Sequence, residues 1–205
     1  MSSASPQRRV GRLVALALAA CCALAPAAGA ASQYRIDQRF GTIDFAIGVL
    51  GMFSIDGRFP RFAGDLLLDV EQPQRSSIDV TVETGALEMP VPEQVELLRS
   101  EPYFDAARHP TARFVSRAVE PLSPAHYAIR GALTLRGITR PLDLEAMLEG
   151  RRHDPARKAE IADFVVTGAL RRSEFGMVAD RPMLSDEVKL TIRIRLEIGA
   201  EGRGG

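Results

Sequence analysis

Along most of the chain, hydrophobic and polar residues alternate with period two. The pattern is longest near the C-terminus. Val188, Leu190, Ile192, Ile194, Leu196 and Ile198 fall on one face, and Lys189, Thr191, Arg193, Arg195 and Glu197 on the other. Such alternation predicts a strand with one face in a core and one in water. It recurs at Ile43, Phe45, Ile47 and Val49, and at Ile78, Val80 and Val82. It returns at Ile129, Gly131, Leu133 and Leu135, at Leu142, Leu144, Ala146 and Leu148, and at Phe164, Val166, Gly168 and Leu170. Residues 53–70 read as one long strand whose inward parity shifts at Pro60-Arg61. Phe53, Ile55, Gly57 and Phe59 precede the shift; Phe62, Gly64, Leu66 and Leu68 follow it. A parity change at a proline is what a β-bulge produces.

One helix is expected between Pro92 and Ser100. Pro92 suits a first helical turn, where its missing N–H is not needed. Val95, Leu97 and Leu98 supply the apolar side, and Pro102 ends the helix. Residues 150–158, GRRHDPARK, read as a loop or a flexible hairpin tip. Seven to nine strands with short turns and no βαβ rhythm leave two architectures open, a sandwich and a closed antiparallel barrel.

The first 30 residues depart from this pattern. Arg8, Arg9 and Arg12 precede an apolar run, Leu13–Ala25, and Ala28-Gly29-Ala30 offers small residues for signal-peptidase cleavage. The run is too short for a membrane span, which needs roughly 20 apolar residues. A Sec-type signal peptide over residues 1–30 is therefore expected, followed by one domain over 31–199 and a disordered Gly-rich tail over 200–205. The expected location is periplasmic or secreted. Leu18-Ala19-Ala20-Cys21 has the form of a lipobox, so a lipoprotein anchored at Cys21 is the minority expectation. Cleavage near Ala30 would remove Cys21 and Cys22, the only cysteines, leaving a core to stabilise the chain without disulfides. It would also leave 23 basic against 26 acidic residues, a net charge of −3. That balance argues against nucleic acid as a partner.

Candidate chemistry is sparse. His109, His126 and His153 fall in predicted loops without the spacing of a metal pair, and are read as surface histidines. The chain lacks G-x-S-x-G, H-E-x-x-H, G-x-G-x-x-G and P-loop motifs. Neither a catalytic residue, nor a metal, nor a cofactor is expected. Arg99, Arg171 and Arg172 have the chemistry to meet a pyrophosphate, but solvated strand ends or turns are the preferred reading.

Many short elements in one order carry a resemblance. They include Tyr34-Arg35-Ile36-Asp37, Phe45, Gly51, Gly57 and Phe59, then Phe62-Ala63-Gly64. Leu98-Arg99-Ser100, Tyr103-Phe104-Asp105, Pro110, Phe114, Gly131-Ala132-Leu133-Thr134 and Gly137 to Pro141 continue the series. Phe175-Gly176-Met177 and Ser185-Asp186-Glu187-Val188 close it. Together they resemble the YceI-like family over about Tyr34–Ile198. The resemblance implies an all-β fold: a closed antiparallel lipocalin-like barrel of about eight strands with one main helix. It also implies an apolar tunnel for a long-chain isoprenoid lipid, such as a polyprenyl phosphate or a quinone-type lipid. On that basis the ligand-binding residues expected are Phe45, Ile47, Val49, Phe53, Phe59, Phe62, Leu66, Leu98, Phe104, Phe114, Leu133 and Phe164. The chain departs from the family at Val49 and Leu97, where histidine is common, and at Phe53, where a small polar residue is common. All three changes make the expected tunnel more apolar. The chain is not expected to be an integral membrane protein, and a homodimer is left open. Two alternative functions are a non-carrying structural or stress-related barrel and an enzyme acting on an isoprenoid lipid.

Overall fold

The computed structural model describes residues 31–69, 72–156 and 158–198. The expected signal peptide, lipobox and C-terminal tail lie outside the described residues.

Every alternating segment forms a strand, and two further strands, at Ser32–Asp37 and Thr111–Ser123, lie outside those segments. The strands are β1 (Ser32–Asp37), β2 (Gly41–Val49), β3 (Phe53–Phe59), β4 (Phe62–Leu68) and β5 (Ser77–Glu83). After the helix α1 (Pro92–Arg99) come β6 (Thr111–Ser123), β7 (His126–Leu135), β8 (Ile138–Asp154), β9 (Ala159–Arg171) and β10 (Leu184–Ile198). All ten belong to one antiparallel sheet in the order β1-β4-β5-β6-β7-β8-β9-β10-β2-β3. The sheet curls into a half-barrel with α1 as the one α-helix among the described residues, the lipocalin-like arrangement expected.

The strands number ten where about eight are expected, because the chain is interrupted at two junctions near its start. The ladder order is open between β1 and β3, but the backbone crosses that seam twice. β1 runs into β2 through residues 38–40, and β3 runs into β4 through Pro60-Arg61. The first junction is a hydrogen-bonded turn, Phe40 N–H donating to the Asp37 carbonyl at 2.9 Å, and the second is a bend at a proline; β1 pairs with β4 and β2 with β3 on either side of them. Both junctions stay tied to their neighbours. Arg195 N–H donates to the Phe40 carbonyl at 2.8 Å, and Glu83 N–H to the Arg61 carbonyl at 3.0 Å. The outer edge of β3 is partly covered as well, by two main-chain hydrogen bonds between Arg58 and Glu88 at 2.9 and 2.8 Å. The parity shift falls where the proline predicts it: Phe59 and Phe62 are both buried across Pro60-Arg61.

The polar stretch 150–158 is mostly strand. β8 continues to Asp154, pairing Arg151 and Arg152 with Ala162 and Ile161 of β9 after a register shift between Leu148 and Gly150. Cross-strand hydrogen bonding outweighs the turn-like composition, and among the described residues of the stretch Pro155, Ala156 and Lys158 form the turn. For the same reason His126 and His153 lie on β7 and β8, whereas His109 is in a loop.

Two ends of the barrel differ. At one end, α1, the loop after it, the Arg136-Gly137 turn and the segment from Arg172 to Met183 gather over the strands. At the other, the first residues of β1, β7 and β9 meet the last residues of β4, β6, β8 and β10.

Candidate functional site

Beneath α1 the inward faces of the strands enclose a cavity of about 430 Å³. This lies within the range of sites that hold small ligands, roughly 300–1,000 Å³. Its wall is built from period-two positions, among them Ile43, Phe45 and Ile47 of β2, Val80 and Val82 of β5, and Leu190 and Ile192 of β10. Large side chains fit because glycines face them across the sheet. A Cβ on Gly57 would stand 2.3 Å from the Phe45 ring, one on Gly131 would stand 2.4 Å from Phe114, and one on Gly168 would stand 2.4 Å from Leu144. Phe45 leans on Phe59 with ring centres 5.2 Å apart, and Phe59 meets the edge of Phe104 at 5.5 Å. Such tilted and edge-on contacts hold aromatic rings in fixed orientations.

Nine of the expected residues line this cavity: Phe45, Ile47, Val49, Phe59, Phe62, Leu98, Phe104, Phe114 and Leu133. Three do not. Phe53 is 66% exposed, because it opens edge strand β3 at the hairpin tip, beyond the wall that Val49 ends. Leu66 and Phe164 do face inward, but at the end of the barrel away from α1. Leu66 is buried beyond the lining in the cluster that also holds Ile36 and Phe45, and Phe164 packs against that cluster and against Tyr127, ring centres 6.5 Å apart. Neither they nor the buried Leu196 beside them touches the cavity.

Polar groups enter the cavity lining only near α1 and the loops: Thr84, Gln94, Tyr103, Arg172 and Asp180. Arg172 is 2% exposed, so its reading as a solvated strand end is corrected. Its Nε donates to the Ser185 carbonyl at 2.9 Å, Nη1 to Met177 at 3.1 Å and Nη2 to Leu184 at 3.2 Å. A buried guanidinium is tolerated when main-chain acceptors surround it in this way. Arg99 instead pairs with Glu96 at 2.7 Å, and Arg171 is exposed. The Tyr103 hydroxyl donates to the Asp180 carboxylate. Burial, reinforced by that bond, pushes the Tyr103 phenol up to about 12, so it stays neutral at ordinary pH. Thr84 donates its hydroxyl to the His109 carbonyl at 2.7 Å. These groups are spent largely on holding loops, and the interior they border is hydrocarbon. The arrangement suits an apolar chain inside and a polar group near α1.

The loop residues Tyr103, Arg172, Met177, Asp180 and Met183 were absent from the sequence-based site. None lies on a period-two face. The available signal was the order of short elements around Phe104 and Phe175-Gly176-Met177. Among the described residues, no group of three or more His, Cys, Asp or Glu is placed to hold a metal ion. No helix among them is long and apolar enough to cross a membrane.

Comparison with known proteins agrees with this architecture. A UPF0312 protein of Pectobacterium carotovorum is 32% identical over 182 residues, covering 87% of this chain and 94% of its own. The crystal structure of Burkholderia cenocepacia BcnA superposes with a TM-score of 0.69 at 19% identity, covering 78% of this chain and 99% of that one. A polyisoprenoid binding domain from Saccharophagus degradans, implicated in plant cell wall breakdown, reaches 0.58 at 9% identity, covering 82% and 99%. At these identities the two structures speak for the fold alone. The YceI-like domain matches residues 34–196, and with that match the chain belongs to the YceI-like family.

Proposed function

We propose that this protein binds, and carries or sequesters, a polyisoprenoid or similar long-chain lipid in the periplasm, with the apolar tail in the cavity beneath α1. The observation that carries the reading is the lining: hydrocarbon side chains on every wall, with the few polar groups confined to one end. A prenyl tail cannot stay dispersed in water, because each buried CH₂ favours the apolar site by ~0.8 kcal/mol. The polyisoprenoid binding domain of Saccharophagus degradans shares the fold and supports this choice of ligand class. Thr84, Tyr103, Arg172 and Asp180 are held by protein partners, which favours holding a lipid over reacting with it. Export rests on the signal-peptide pattern of residues 1–30.

Mass spectrometry of the protein purified from the periplasm of its own organism tests both parts. The expected chain begins at Ala31 and retains a lipid that organic solvent extracts. A cytoplasmic full-length chain without lipid would contradict the reading, and diacylglycerol on Cys21 would replace the cleavage site.

A further inference from the structure

Most of the cavity lining is buried or half-buried. The exposed lining residues are Leu97 of α1 with Asp180 and Met183 of the loop before β10, and they mark the mouth. Leu97 is 51% exposed and Met183 56%. Leu50, Met52 and Phe53, at the β2–β3 tip, are more exposed still, up to 78% for Met52, and Val178 of the loop before β10 adds another apolar side chain. The tip and that loop are joined by the Leu50 N–H donating to the Met183 carbonyl at 2.9 Å. Residues 45–55 contain no charged side chain. Single exposed apolar residues are ordinary, but several gathered at one opening mark a contact surface.

We propose that this rim docks on the surface of a lipid bilayer, so that the cavity mouth opens toward the membrane. Three observations select a bilayer over other partners. The rim and the cavity share Leu97 and Met183, so an apolar chain crossing the rim keeps hydrocarbon contact from one to the other, beside the Asp180 carboxylate that the Tyr103 hydroxyl holds. The tip is uncharged, and the charges beside it, Asp180 and Arg181, are engaged by Tyr103 and Asp186, which matches a zwitterionic lipid surface. Met and Phe side chains standing free at a hairpin tip can sink to the depth of the headgroup–acyl boundary, as the apolar faces of interfacial helices do. The proposal rests on the lipid reading only for its purpose; the docking itself needs no occupied cavity.

Flotation with phosphatidylcholine vesicles tests it, using wild type and the double variant Met52→Ser, Phe53→Ser. Both positions are exposed, so the variant should melt like wild type. Wild type is expected to float with the vesicles to the same extent at low and high salt, because apolar insertion is not screened. The variant is expected to lose about tenfold or more of its partitioning. Both proteins should take up a polyprenol presented in detergent equally well. Equal flotation of the two proteins, or none by wild type, overturns the proposal. So does a wild-type dimer in vesicle-free solution that the variant turns into monomer, since the rim would then serve a second copy. Vesicle binding without polyprenol uptake supports the docking and removes the cavity reading; uptake without vesicle binding does the reverse.

Discussion

Phe45 shows how the site depends on single side chains. Its ring can lie along the cavity wall because Gly57, directly across the β2–β3 pair, has no Cβ to meet it. Gly57→Ala should push the ring into the cavity, at a cost of about 1–3 kcal/mol for overpacking. Lipid binding should weaken more than stability falls, as a ligand titration beside a denaturant melt would show. Tyr103 gives a pH signature. Its pKa is raised from 10.0 to about 12, by burial first and the Asp180 bond second. A raised folded-state pKa means the phenol's contribution is fully present below pH 10 and is lost as pH rises through about 12. Tyr103→Phe should cost about 1 kcal/mol at neutral pH and flatten this alkaline loss in denaturant melts across that window. At this scale the sequence is readable for side and not for depth. Alternation puts Phe45, Leu66 and Phe164 all on inward faces, correctly. It carries no information on height along the barrel, where Phe45 meets open cavity and Leu66 and Phe164 meet packed side chains.

Among elements, most strands are legible from their period-two alternation and α1 from its proline start, with Pro60 marking the break between β3 and β4. The segment from Arg172 to β10 is not. It is held from within by Arg172 and from outside by Asp186, which accepts from Ser173 N–H at 3.0 Å and from its hydroxyl at 2.7 Å, and which also pairs with Arg181. No local pattern announces a guanidinium buried under three carbonyls. Its neighbour Arg171 has the same chemistry and is solvated. Arg172→Leu should strand those carbonyls and cost about 3 kcal/mol, at 1–3 kcal/mol for each unsatisfied group partly recovered by water. Amide exchange should rise first in residues 176–185, leaving β6 to β8 protected. If exchange rises uniformly instead, Arg172 supports the whole barrel and not this loop.

At the scale of the molecule, a turn between β1 and β2 and a bend between β3 and β4 let a sheet with an open ladder order wrap an interior. The kink at Pro60-Arg61 is visible in sequence; that it lets one chain segment serve both ends of the ladder is not, since strand order emerges only from pairing. Leu66, Phe164 and Leu196 stand clear of the cavity, and the interior is hollow beneath α1. The central claim is that the hollow holds a lipid tail. Retained lipid per folded molecule, compared between wild type and Phe45→Asp, tests it most directly. An unpaired carboxylate in a hydrocarbon site costs several kcal/mol, but beside a cavity it can draw in water, so the barrel should stay folded with a lowered melting temperature. Wild type is expected to retain close to one lipid per chain and the folded variant almost none. A wild type that never carries lipid, together with a variant that unfolds, would mean that the space beneath α1 is solid core in solution and would contradict the account.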